Sequence, residues 1–317
     1  MTVRISAIIP TYHRPVDLQK CLQSILEQTL LPDEVILIDD GDLGGFPMRD
    51  ELEARGMDCI YFQKDIPGVT ESRNKAAEIA RGEILVFLED DVVLFENYIE
   101  ELVNTFETHD QDGQLGGVGG IIDNESLSLF ERVFERMPFI LFGISGFREG
   151  KVLRSGFATD YGRTGFPVKD VAEVDFLLGG VSSFKRKVFD EFRFSNRYRS
   201  ASGYGQGEDK EFSYRVSKKY RLLVNPRARL CHYPAPKKNF NRFIKGRAFI
   251  LSRYYFFVES VKKSPLDWLF FWFAILGYIL YAGARVLLSF KKKEWLRFKG
   301  TLAGVMDIIR QRSLDSL

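Results

Sequence analysis

Over the first hundred positions apolar residues come in short blocks separated by polar turns, and the blocks alternate between two spacings. Val3 to Ile9 is a β-branched run too short for a helix and closed by Pro10, which predicts a buried strand ending in a loop. Leu18, Cys21, Leu22, Ile25 and Leu26 then recur at three- and four-residue spacing, and Pro15 and Asp17 suit the first turn of a helix. Glu34 to Ile38 predicts a second strand, ending at Asp39 and Asp40, and Cys59 to Phe62 a third. Val69 to Arg81 reads as a helix whose Ala76, Ala77, Ile79 and Ala80 are compact enough to pack closely on a sheet. Ile84 to Leu88 predicts the fourth strand, which stops at Glu89, Asp90 and Asp91. Another helix follows, with Tyr98, Ile99, Leu102, Val103 and Phe106 on its inner face.

Four alternations of strand and helix predict an α/β fold, with a mostly parallel sheet covered on both faces, because parallel strands need a crossover to connect them. In such sheets ligands lie beyond the carboxyl ends of the strands, where Thr11, Asp39, Asp40 and the 89–91 acids fall. From Ser126 to Val174 the pattern weakens into a stretch rich in Phe, Gly and Arg, including Phe130, Phe134, Phe139, Phe142 and Phe147, read as an inserted acceptor-side region. Asp175 to Phe184 predicts a strand containing Gly179 and Gly180, and a helix near Lys210 to Lys219 follows the Gly203 to Gly207 loop.

The last third changes character. Trp268 to Phe290 holds 23 residues with one charge, Arg285, enough for roughly 34 Å of helix. Upstream, Lys237, Lys238, Arg242, Lys245, Arg247 and Arg253 interleave with Phe240, Phe243, Phe249 and Tyr254, a pattern that suits a helix lying on a membrane. Lys291, Lys292 and Lys293 would bind anionic lipid. Both flanks of the apolar segment are basic, so the positive-inside rule gives no orientation, and a spanning helix, an in-plane or re-entrant one, and a buried or dimer-forming one all stay open.

The net charge of +2 conceals an asymmetry. Residues 1–230 carry 29 basic and 38 acidic side chains, net −9, whereas 231–317 carry 16 and 5, net +11. A basic tail on an acidic body points to an anionic surface. The neighbouring apolar segment favours lipid over nucleic acid. At 45% hydrophobic and 28% charged residues the chain folds rather than staying disordered. Cys21, Cys59 and Cys231 form no paired motif and place the body in a reducing compartment, the cytosol. The N-terminus has no cleavage site and reads as a strand, not a signal peptide.

Two constellations carry chemistry. Glu89-Asp90-Asp91 sets three carboxylates side by side, which repel unless something positive is present, and a hard divalent cation fits because it takes oxygen ligands and bridges phosphates. A solvated turn opening the next helix would also place acids there. Gly207-Glu208-Asp209 puts a carboxylate at a loop-to-helix junction, where Asp209 is the candidate base for a hydroxyl nucleophile, or an ordinary helix cap.

Six pieces in order resemble the family 2 glycosyltransferases, the inverting group with the GT-A fold. They are Ile8-Ile9-Pro10-Thr11-Tyr12-His13-Arg14-Pro15, Ile38-Asp39-Asp40-Gly41, Gly68-Val69-Thr70-Glu71-Ser72-Arg73-Asn74, Phe87-Leu88-Glu89-Asp90-Asp91, Phe176-Leu177-Leu178-Gly179-Gly180 and Gly207-Glu208-Asp209. The resemblance implies a catalytic domain over 1–235, its nucleotide-binding half about 1–122 and its acceptor-side half about 123–235. A basic and aromatic connector would follow over 236–263, then membrane-associated helices over 264–317. It implies that Pro10, Thr11, Tyr12 and Arg14 line the nucleotide pocket, that Asp39 and Asp40 contact base and ribose, and that Arg73, Glu89 and Asp90 face the donor. Asp91, with Glu89 and His232, would hold Mn²⁺ or Mg²⁺; the family more often has Asp where Glu89 stands. Gly179, Gly180 and Glu208 would lie on the acceptor side, with Asp209 as general base. His13 and His109 receive no chemical role, His109 being expected on the surface.

The implied activity is transfer of a sugar from a nucleotide donor to a lipid-linked or growing surface glycan at the cytoplasmic face of a membrane. The C-terminal helices also offer a route to a homo-oligomer. The competing readings are a silent nucleotide- or glycan-binding membrane scaffold, and a sugar-phosphate nucleotidyltransferase, for which no Gly-rich, Lys-containing N-terminal phosphate loop exists.

Overall fold

The apolar runs pair as strands of one sheet in the computed structural model, which describes residues 3–123, 129–161, 168–198, 207–234 and 241–310. The elements run β1 (Ile5–Thr11), α1 (Pro15–Leu26), β2 (Glu34–Asp39), α2 (Arg49–Ala54), β3 (Asp58–Gln63), α3 (Val69–Ile79), β4 (Ile84–Leu88), β5 (Val92–Leu94), α4 (Tyr98–His109) and β6 (Leu115–Ile122). After these come α5 (Leu129–Leu141), β7 (Ala172–Val174), β8 (Val181–Lys185), α6 (Glu208–Val216), β9 (Arg221–His232), α7 (Arg242–Phe256), α8 (Asp267–Ser289) and α9 (Lys292–Ile309). The chain divides into two units, one of Met1–Ser126, Pro167–Phe194 and Phe212–Ala235, the other of Leu127–Phe166, Ser195–Glu211 and Pro236–Leu317.

The first unit is built on a sheet of order β3-β2-β1-β4-β8-β6-β9-β5, with β7 also paired to β9. β3, β2, β1 and β4 run parallel, as the alternation of strand and helix predicts. Antiparallel β8 separates β4 from β6, so β6 and β9 again point the same way as β4. Every residue of β2 and β4 is buried, which is why both read as unbroken apolar runs rather than alternating ones. On one face α1 inserts Leu18, Cys21, Leu22 and Ile25, and α4 inserts Ile99, Leu102 and Phe106. Phe87, Phe184, Phe189, Phe194 and Phe212 form a separate aromatic cluster, with Phe194 and Phe212 stacked at 4.0 Å.

Several elements depart from the expectation. The run Asp175 to Phe184 is not one strand: residues 175–180 form the connection after β7, which closes in a turn with Gly180 at φ +73°, and only from Val181 does the run pair, as β8. A short β5 precedes the helix expected after Asp91. β6 and β9 lie outside the strands expected from the sequence. The β6 glycines are close-approach positions: a Cβ at Gly116 would come within 2.5 Å of Tyr220, and one at Gly120 within 2.4 Å of the Ala228 carbonyl oxygen.

The second unit is helical. Asn241 caps α7 by accepting the amides of Phe243 and Ile244, and α7 runs on into a π-turn over Phe257–Val261. α8 begins one residue before the apolar segment and ends one before its close. Asp267 holds its start by accepting the Lys263 and Ser264 amides and Arg154 Nε at 2.8–2.9 Å. α7 and α9 pack through glycines: a Cβ at Gly246 would sit 2.3 Å from the Arg297 carbonyl oxygen, and one at Gly300 would meet that of Phe243. Lys237, Lys238 and Phe240 of the basic stretch, residues 203–206 of the expected loop, and the side chains of Phe130 and Phe134 lie outside the described residues.

Candidate active site

β4 ends at Leu88, and the chain turns through Glu89, Asp90 and Asp91 before β5 pairs antiparallel with the last residues of β9. That pairing sets Val92 against His232, and the Tyr233 amide donates to the Asp91 carbonyl at 2.8 Å. His232 thereby arrives beside acids far away in the chain. Its Nε2 stands 3.2 Å from Asp91 Oδ1 and 3.3 Å from Glu89 Oε2, and one ligand atom from each of the three residues lies within 4.8 Å of the others. Asp91 Oδ1 is buried without a hydrogen bond of proper geometry. A buried oxygen so placed, next to an imidazole and a second carboxylate, suits a divalent cation.

The neighbouring acids are fixed by the β1 loop. Thr11 Oγ1 donates to Asp90 Oδ2 at 2.8 Å, and Arg14 Nη1 bridges Asp90 Oδ1 and Asp91 Oδ2. Burial pushes the Asp90 carboxyl up, and Thr11 and Arg14 recover only part of the rise. Burial acts on Asp91 as well, but His232 and Arg14 outweigh it and hold that carboxyl below its usual range. Asp91 and Glu89 in turn push the His232 imidazole up to about 10. The site thus sets three carboxylates against His232, Arg14 and Arg73, a charge balance in which a bound cation would take part.

Glu89 is seated by two residues the sequence singles out for other reasons. Arg73, 3% exposed on α3, brings Nη2 to 3.8 Å from Glu89 Oε1. A Cβ at Gly180 would lie 2.7 Å from Glu89 Cγ, so the bare backbone there is what lets the Glu89 side chain pass. Gly179 forms the same turn.

Asp39 and Asp40 close β2 with their carboxylates already engaged. Asp39 accepts the Gly41 and Leu43 amides at 2.8 Å and the Tyr61 hydroxyl at 2.7 Å. Burial and that last bond push the Tyr61 phenol up to about 12. Asp40 accepts the Gly68 amide at 2.9 Å and Ser72 Oγ at 2.7 Å, and Lys64 Nζ lies 3.1 Å away. Both acids therefore shape the loops around the strand ends. Lys64 and Tyr61 escape a reading of the sequence, although Lys64 directly follows β3, whose parallel register ends at Asp39 opposite Gln63. Pro10 lies in β1, and Tyr12 is half exposed just past its end. His13 sets Nδ1 2.9 Å from Asp42 Oδ1, and His109 is exposed at the end of α4. Glu208 and Asp209 open the first turn of α6, in the second unit.

Residues 6–163 match the model of the family described as glycosyl transferase family 2. The chain belongs to this family. Among curated relatives, glycosyltransferase GlyG of Streptococcus pneumoniae serotype 4 is 30% identical over 123 residues, 37% of this chain and 39% of the relative. The glucosyl-dolichyl phosphate glucuronosyltransferase of Haloferax volcanii is 24% identical over 237 residues, 73% of this chain and 69% of the relative. This chain thus spans well under half of the first relative's length and about two thirds of the second's. The mannosyltransferase PcManGT from Pyrobaculum calidifontis, solved with GDP-Man and Mn²⁺, superposes with a TM-score of 0.54 at 14% identity. The match covers 99% of this chain and 89% of that one, and the family 2 chain shares its GT-A fold.

Proposed function

We propose that this chain is an inverting glycosyltransferase that moves a sugar from a nucleotide-sugar donor to a hydroxyl of a lipid-linked or growing surface glycan at the cytoplasmic face of a membrane. The observation that carries the reading is the meeting of Glu89, Asp91 and His232 beyond the carboxyl ends of β4 and β9, with Asp91 Oδ1 buried and turned toward the His232 imidazole. These three residues would hold Mn²⁺ or Mg²⁺, which when bound supplies positive charge against the leaving diphosphate. The archaeal mannosyltransferase, with GDP-Man and Mn²⁺ in its structure, supports a nucleotide sugar and a metal; the haloarchaeal relative, whose name gives a dolichyl phosphate substrate, supports a lipid-linked acceptor.

The chain's own residues then divide the work. Arg14 fixes one oxygen of Asp91 and so aims the other, while Thr11 keeps Asp90 turned inward beside Pro10 and Tyr12. Asp39 and Asp40 hold the backbone on which base and ribose rest, and Arg73 counters negative charge beside Glu89. Gly179, Gly180 and Glu208 serve the acceptor side. Asp209 takes the proton of the acceptor hydroxyl, whose oxygen attacks the anomeric carbon opposite the nucleotide, so that configuration inverts. Asp209→Asn is expected to lower transfer by about 10² to 10⁴ while donor binding persists. A near-normal rate in a purified transfer assay removes Asp209 from this role.

A further inference from the structure

We propose that α8 attaches the protein to an anionic bilayer by lying in the plane of its surface, with one apolar stripe in the lipid, rather than by crossing it. The inference deepens the membrane reading above and rests on it.

Length and composition allow α8 to span. Its surroundings do not. Phe271, Ala274, Ile275, Tyr278 and Ala282 face protein along the helix, and a Cβ at Gly277 would collide with Phe142. Phe271 stacks on Phe257 at 4.6 Å. α9 folds back antiparallel on the second half: Arg285 Nη2 meets Glu294 Oε1 at 3.2 Å, Gly283 faces Phe298, and Arg297 Nη2 donates to Tyr278 Oη at 2.8 Å. α9 is itself locked to α7 through Gly300 and the Arg247–Asp307 pair. A crossing α8 would have to shed α9 or draw Glu294 and Arg297 into hydrocarbon, where ionised groups are strongly disfavoured.

The opposite face of α8 is bare and apolar. Leu269, Phe273, Leu276, Leu280 and Leu287 are 71, 46, 50, 53 and 70% exposed and fall on one side at helical spacing. Residues 262–310 hold nine basic side chains and three acidic ones, and among the described residues Asp267, Glu294 and Asp307 are each paired with an arginine. Of the exposed lysines, Lys262 and Lys263 before α8 and Lys291 to Lys293 after it flank both ends, and Lys299 lies further along α9. On a spanning helix one group would face the far leaflet. On a helix in the plane both meet the same anionic headgroups, which accounts for the symmetric basic flanks.

The chain's three tryptophans, Trp268, Trp272 and Trp295, all lie in α8 and α9, so depth can be read from one reporter. In the full chain, replace them by Phe, introduce Leu280→Trp at mid-helix, and add vesicles of phosphatidylglycerol and phosphatidylcholine containing lipids brominated near the headgroup or near the chain ends. Quenching by the shallow bromolipid is expected. Quenching by the deep one means a spanning helix and overturns the proposal, as does no lipid quenching with a doubled mass in solution, which makes the stripe a contact between two copies. Substituting Lys291, Lys292 and Lys293 by Gln should weaken vesicle binding on the order of a hundredfold, at about fivefold per lysine. Leu276→Glu with Leu280→Glu should abolish it without lowering the unfolding temperature, and retained binding counts against the stripe. Donor binding measured on the same samples separates the two ideas: a donor that binds while vesicles do not sinks this proposal alone, and the reverse sinks the transferase reading alone.

Discussion

Glu89 reaches its place only because Gly180 has no side chain. With φ at +73° and Glu89 Cγ 2.7 Å from the position of a Cβ, Gly180→Ala has both a backbone and a steric penalty. Displacing Glu89 in this way is expected to weaken Mn²⁺ binding by about 10- to 100-fold, as for other groups that orient metal ligands; titration calorimetry against the unsubstituted protein checks it. Glu34 offers a pH-dependent case away from the site. Its side chain, 0% exposed at the start of β2, accepts Ser6 Oγ, the Arg81 amide and Arg81 Nε, all at 2.6 Å. Burial would raise its carboxyl, but the Ser6 and Arg81 interactions outweigh that and leave it lowered. A lowered carboxyl stabilises the fold above its unfolded value and loses the contribution as pH falls through the folded one. Glu34→Gln should therefore unfold more easily by about 1–3 kcal/mol at pH 7. The gap from the parent should close as pH drops below about 4, the ordinary carboxylate range, in urea melts at several pH values.

At the scale of elements, the helix pair α7 and α9 is set by glycine contact. Alanine at position 300 would gain about 1 kcal/mol of helix propensity, yet its Cβ would run into the Phe243 carbonyl oxygen. Overpacking at such a contact costs about 1–3 kcal/mol, so Gly300→Ala should lower the unfolding temperature. Gly283→Ala is the control: its Cβ would find Phe298 at 3.6 Å, an ordinary contact, and stability should hold or rise. Paired thermal melts decide both. Elements of this kind divide into those written in the sequence and those that are not. β1, β2 and β4 are legible because they are buried nearly throughout and read as unbroken apolar runs, α1 because its apolar residues recur at helical spacing, and α8 because its apolar run is long, so local hydrophobic pattern alone marks them. β6, with sequence LGGVGGII, has no local pattern that marks it, because its glycines answer to Tyr220, Phe184 and Ala228, residues supplied by distant segments. β9 holds Pro226 and alternating arginines, and its length comes from pairing with β5, β6 and β7 together.

For the whole molecule, the donor and the metal should act as one ligand of the folded state. A nucleotide sugar with Mn²⁺ at a hundred times its dissociation constant is expected to stabilise the fold by about 2.7 kcal/mol through mass action. The rise in unfolding temperature should shrink sharply in Asp91→Asn, and a screen of nucleotide sugars by thermal shift measures it and identifies the donor. The sequence by itself determined the α/β class, the strand ends at which Thr11, Asp39 and Glu89 to Asp91 stand, and the apolar basic-flanked helix, because period, capping and charge are local properties. The family resemblance groups His232 with Glu89 and Asp91, but only the tertiary structure decided the register that sets it 3.2–3.3 Å from both, that Gly180 would make room for Glu89, and that one face of α8 would be sealed by neighbouring helices. Those outcomes depend on strand register and on helix packing between segments far apart in the chain, and no local pattern records which distant residue will arrive opposite a given one.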